Sequence, residues 1–125
     1  MSIDLSKILM DSNMASFGDV LVNFVYSLAL SRIRGRFHGD RVKNRVLAEA
    51  LCKCGLRDML SGKVDTHVKG NAAEALIAYA WISGKVSLNE LVDILSKNFH
   101  GEGFKYEVEA FSELLKYILV KVIEN

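Results

Sequence analysis

No proline occurs in the 125 residues of this chain, where average usage of about 5% would give roughly six. Proline breaks helix interiors and otherwise marks turns and sheet edges. A chain without it, half of whose residues are hydrophobic, is expected to form an all-α bundle of long helices. The length fits one domain spanning 1–125 and no more. With a quarter of the residues charged, the balance excludes a disordered tail or a collagen-like chain. Sixteen basic against fifteen acidic residues leave a formal charge of +1. Any contact with nucleic acid must therefore come from where the charges lie, not from an overall excess.

Periodicity and breakers predict six or seven helices. A short first helix runs from Ser2 to Met10, and a strong second one from Gly18 to Ile33. A basic loop covers Arg34 to Gly39, and a third helix spans Arg41 to Cys54, with a short turn at Leu56 to Leu60. The polar segment Ser61 to Lys69 reads as a loop, followed by a helix from His67 or Gly70 to Ile82. Ser87-Leu88-Asn89-Glu90 has the capping-box pattern, in which serine and glutamate satisfy each other's exposed amides, and it opens a helix to Asn98. The last helix, Phe104 to Ile123, repeats apolar residues at 104, 108, 111, 115, 118 and 122. It can close its own core or join a second copy.

Cys52 and Cys54 form C-K-C, neither a CxxC pair nor a zinc set. Free thiols and a short amphipathic N-terminal stretch instead of a targeting segment predict a cytoplasmic protein. The apolar runs 20–30 and 75–82 fall short of the roughly 20 residues that span a bilayer, so no membrane partner is expected.

The second helix and the one ending at Ile82 are apolar on nearly every side, the pattern of central helices. Each carries a conspicuous carboxylate, Asp19 just before the uncharged run 20–30 and Glu74 alone within 72–82. A buried carboxylate is costly unless paired, protonated or bound to a cation. One explanation puts both acids in first turns, against the positive end of the helix dipole. The other brings them together, with Asn71 three residues before Glu74 on the same face, as an oxygen-donor set for Mg²⁺. Ser12, Ser16 and Ser27 show no histidine-and-acid arrangement that would make a nucleophile.

Three segments carry a resemblance. Phe17-Gly18-Asp19-Val20-Leu21-Val22-Asn23-Phe24, the stretch Asn44 to Leu51 ending in Cys54-Gly55-Leu56, and Gly70-Asn71-Ala72-Ala73-Glu74-Ala75-Leu76 through Trp81 resemble, in order and spacing over about 11–95, the motifs of the ribonuclease III family, in a short, archaeal-type form. The resemblance implies an all-α homodimeric endonuclease domain that holds Mg²⁺, or Mn²⁺, and cuts double-stranded or structured RNA. It implies Asp19 and Glu74 as catalytic and metal residues, with Asn71 as an auxiliary. Two of the family's four acids are replaced: Ala15 stands where a glutamate is expected four residues before Asp19, and Asn71 where an aspartate is expected three before Glu74. Asp11 is a candidate substitute ligand. The same departures imply an alternative, a catalytically impaired RNA-binding or ribosome-associated protein of the same fold.

The charge distribution agrees with RNA. Arg32, Arg34, Arg36, Arg41, Lys43 and Arg45 fall within fourteen residues, with Asp40 as the only acid among them. Such residues contact phosphates without reading sequence, which suits duplex RNA, recognised largely by shape. Lys63, His67 and Lys69 form a smaller cluster before the third motif. Phe24, Tyr26, Leu28, Tyr79, Trp81, Phe111 and Tyr117 are expected in the core or at a dimer interface.

Overall fold

A computed structural model describes residues 4–124, and all regular structure in it is helical. Six α-helices follow in order: α1 Leu5–Leu9, α2 Ser12–Arg34, α3 Asn44–Lys53, α4 Thr66–Ile82, α5 Leu88–Lys97 and α6 Phe104–Ile123, with one 3-10 turn at Leu56–Met59 between α3 and α4. Residues 2 and 3 of the expected first helix lie outside the described residues.

At the centre lies α4, where every residue from Ala72 to Ala80 except Tyr79 is buried. Five alanines on that stretch let α2, α3 and α6 approach closely. The last helix packs into its own core: Val108, Phe111, Leu115, Ile118 and Val122 are all buried. Tyr26 meets Phe111 with ring centroids 5.9 Å apart. The predicted capping box at Ser87 and Glu90 forms in both directions.

Three helix starts differ from the sequence reading, and each difference bears on the site. Asp11 caps α2 by accepting from the Met14 amide, so the helix begins at Ser12, not Gly18. Asp19 is thereby two turns inside the helix. Asp65 caps α4 in the same way, accepting from Val68. The helix therefore starts at Thr66, which makes His67 and Lys69 helical and puts Glu74 in the third turn. Neither acid is where the terminal dipole acts, because that effect fades within one turn. The third difference is α3, which starts at Asn44 and leaves Arg41 to Lys43 in the loop.

The apolar character of α2 also reads differently in three dimensions. Leu21, Val22, Val25, Tyr26, Ala29 and Leu30 are buried, but Phe17, Val20 and Phe24 face out, Val20 with 68% of its surface open. Phe17 stacks on the exposed Trp81 of α4 at 5.9 Å. Phe24 and Trp81 are thus outside the core. By length and composition α2 is a helix that can cross a membrane, longer than the run 20–30 had implied. It nevertheless packs against α4 and α5, and four of its polar residues, Asp19, Asn23, Ser27 and Ser31, are engaged by the following loop.

Candidate active site

That loop is a strap. Residues Asp19, Asn23, Ser27 and Ser31 recur every four positions along α2, which places them in one row on the helix surface. Ser31 Oγ accepts from the His38 amide at 2.8 Å; its one proton goes to the Ser27 carbonyl at 2.8 Å, with the His38 carbonyl a longer second acceptor at 3.2 Å. Ser27 Oγ accepts from the Asp40 amide and donates to the Asp40 carbonyl, at 2.9 Å each way. Asn23 Oδ1 accepts from the Val42 amide at 2.8 Å. The Arg41 guanidinium donates to both oxygens of Asp19, each at 3.2 Å. The chain after α2 therefore runs back along it, pinned at each turn, and delivers Arg41 to Asp19.

Asp19 meets Glu74 because α2 and α4 touch at Gly18. A Cβ built on Gly18 would lie 2.2 Å from the Glu74 carbonyl oxygen, a distance no side chain tolerates. The glycine of the Gly-Asp pair thus sets the helix separation, and its neighbour supplies the carboxylate. A second close approach, at Gly70, seats the Asn44 side chain, which donates to the Thr66 carbonyl at 3.2 Å and ties the start of α3 to α4.

The result is an open cleft of about 540 Å³ whose lining includes Asp19, Asn71, Glu74, Arg41, Asn44, His67, Ser12, Ser16 and Ala15. The three residues expected to hold a cation are therefore brought together, and Ala15 stands among them as expected. Asp11, spent on capping Met14, does not line the cleft, so it does not serve as a substitute ligand. Nor does Lys69. His67 and Asn44 line the cleft; Asn44 opens the second motif segment, the signal in sequence that placed it near the other two.

Only 6% of Glu74 is exposed. Burial, then the hydrogen bond to Asp19 and the charge on it, push its carboxyl up to about 8, with Arg41 offsetting a part. Burial pushes Asp19 up as well, but the hydrogen bonds from Glu74 and Arg41 and the guanidinium charge outweigh it and hold Asp19 below its ordinary value. At neutral pH one proton sits between two carboxyl groups, on Glu74, donated to an ionised Asp19.

Among the described residues no group of three or more His, Cys, Asp or Glu side chains is placed for a metal. The donor set here is two carboxylates and one amide oxygen. All are hard oxygen donors, and Mg²⁺ commonly uses one or two carboxylates together with waters and substrate phosphate. On that chemistry the residues fit the cation, provided Glu74 gives up its proton.

The basic cluster does not form one face. Arg41 borders both the carboxylate cleft and an adjoining pocket of about 330 Å³ that Arg34, Lys43 and Arg45 also line. Arg32 and Arg36 line a separate groove beside Phe37. Arg32 is paired with Asp93, Arg34 lies 3.9 Å from Glu102, and Arg45 covers the Phe104 ring at 4.7 Å. Among the described residues Arg36, Lys43 and Lys69 make no ion pair. Cys52 and Cys54 are free thiols.

Comparison with known proteins agrees with the motifs. No curated protein matches the chain. The family described as Ribonuclease III matches residues 12–124, nearly the whole sequence and all of the cleft. The chain belongs to the ribonuclease III family.

Proposed function

We propose that this protein is an endoribonuclease that hydrolyses phosphodiesters in double-stranded or structured RNA, with Mg²⁺ or Mn²⁺ held by Asp19, Glu74 and Asn71. One observation carries the reading: two carboxylates from different helices, Asp19 and Glu74, meet Asn71 in an open cleft that adjoins a pocket lined by arginines and a lysine. When bound, the cation would activate water and stabilise charge on the phosphate. Glu74 and Asp19 supply its negative ligands, and the Asn71 oxygen completes the set. Arg41, at the boundary of cleft and pocket, takes hold of a phosphate oxygen, while Arg34, Lys43 and Arg45 guide the neighbouring backbone.

The exposed row Phe17, Val20 and Phe24, with Trp81, supports a homodimer, since an apolar surface of this kind on a small chain calls for a partner. The free thiols are in keeping with a cytoplasmic setting. Ala15 and Asn71 favour a second reading, RNA binding by the same fold with impaired catalysis, because the cleft carries fewer acids than its relatives' four.

Incubation of duplex RNA with Mg²⁺ or Mn²⁺, natural protein against Glu74→Gln on a denaturing gel, separates the two. Cleavage by the natural protein alone supports the enzyme. Equal products from both proteins remove Glu74 from the site, and intact RNA that is nonetheless bound supports the second reading. Sedimentation of the natural protein as a monomer would refute the dimer.

A further inference from the structure

The strap ends, away from the cleft, in a feature that catalysis does not use. Phe37 is 95% exposed, the most open of the large apolar side chains described. It stands between Arg36 and His38, and the hydrogen bond from the His38 amide to Ser31 fixes the backbone immediately after it. A fully solvated phenyl ring on a pinned backbone contributes nothing to the core. Below it is a groove of about 500 Å³, floored by Leu28, Leu88 and Val92 and rimmed by Arg32, Arg36 and Asn89. An apolar floor with cations and one amide at the rim matches a nucleobase attached to its phosphate: a flat apolar face, a polar edge and a negative charge.

We propose that Phe37 and this groove form an accessory subsite that receives one unpaired base of the RNA. The base stacks on the phenyl ring, Arg36 meets its phosphate, and the Asn89 amide faces its edge. This inference rests on RNA being the partner, as proposed above. A second copy of the chain is the competing occupant. Two observations favour the base. Arg36 makes no ion pair among the described residues, so its charge is available to an anion, and the strap joins the groove directly to the Arg41 that borders the carboxylates. From Asp19 to Ser31 is twelve helical residues, about 18 Å at 1.5 Å each, a distance on the order of five or six stacked nucleotides. The subsite would therefore read an interruption of pairing at a set distance from the cut, which duplex shape alone does not convey.

The test measures fluorescence anisotropy of labelled RNA in EDTA, where no cleavage occurs. A fully paired duplex is compared with duplexes carrying one unpaired nucleotide at successive positions, using the natural protein, Phe37→Ala and Phe37→Trp. The natural protein is expected to prefer one bulge position by about 5- to 100-fold, the range that stacking on an aromatic side chain provides. Phe37→Ala should remove that preference and leave the paired duplex bound as before, and Phe37→Trp should keep it. Equal binding of paired and bulged RNA by the natural protein would overturn the subsite while leaving the RNA reading intact. Failure to bind any RNA would overturn both. A shift of Phe37→Ala to a smaller sedimenting species would assign the ring to contact between copies and also overturn the proposal.

Discussion

Replacing Glu74 with glutamine should make the protein's stability less dependent on pH, and the direction follows from the proton it shares with Asp19. In the folded chain Glu74 titrates near 8, against an ordinary value of 4.5. For an acid raised in this way, the stabilising contribution is complete below 4.5, where folded and unfolded chains both hold the proton. It declines as pH rises and is gone once the pH passes 8, because the folded chain then ionises a buried group. Over this span of about 3.5 pH units, at about 1.36 kcal/mol each, the ceiling is about 5 kcal/mol. Water reaching the half-exposed Asp19 screens the interaction and lowers the expected effect to about 2–3 kcal/mol. Asp19 runs the other way. Its folded value is depressed, so its contribution is present above its ordinary 3.8 and is lost as pH falls through the folded value. Glutamine stays neutral and still offers an N–H to Asp19. Urea unfolding of both proteins in EDTA at pH 5, 7 and 9 should therefore give similar stabilities at pH 5, with the variant ahead by about 2–3 kcal/mol at pH 9. Parallel pH profiles, within about 0.5 kcal/mol, would refute the shared proton.

Gly18→Ala should be among the most damaging single changes, since its methyl would fall 2.2 Å from the Glu74 carbonyl. About 3 kcal/mol of lost stability by urea unfolding is expected, as for overpacking between rigid backbones. Arg41→Gln removes a largely exposed ion pair, worth less than about 1 kcal/mol to stability. It should nevertheless tighten Mn²⁺ binding several-fold by electron paramagnetic titration, and lower the slope of log RNA affinity against log salt by about 0.7–0.9, the loss of one phosphate contact.

How much of this was legible in sequence depended on whether the signal was local. The capping box at Ser87 and the apolar repeat of α6 involve only near neighbours, and both elements formed as read. Asp19, Asn71 and Glu74 were found through motif spacing, and the structure converts that spacing into contact: Gly18 permits the approach of α2 to α4. The start of α2 is hidden in sequence because Asp11, a candidate ligand by its type, is a cap. The strap is not a local signal, because Asn23, Ser27 and Ser31 find their partners across a loop of irregular backbone. Their spacing of four from Asp19 was the available sign that one side of α2 is polar and occupied. Which apolar side faces water was beyond sequence, because Phe17, Val20 and Phe24 differ from the buried Leu21, Val22 and Val25 only in what packs against them.

The loss of two acids changes what the cleft has to do. With Asp19 ionised, Glu74 protonated and Arg41 bound to Asp19, the group of three is close to neutral at pH 7. Such a site has little pull on a divalent cation by itself. An RNA phosphate arriving beside Arg41 competes with the exposed Asp19 carboxylate for the guanidinium, since both can take its fork of N–H groups. Arg41 need only turn toward Lys43 and Arg45, since it already borders their pocket. Its departure frees Asp19 and restores the negative potential of the cleft; it also removes the charge that holds the Glu74 carboxyl down, so that proton passes to solvent only as a cation takes its place. A site with four acids can hold its metal before substrate arrives. With Ala15 and Asn71 in place of two of them, this one would, under the proposed function, take up substrate and cation together, each favouring the other.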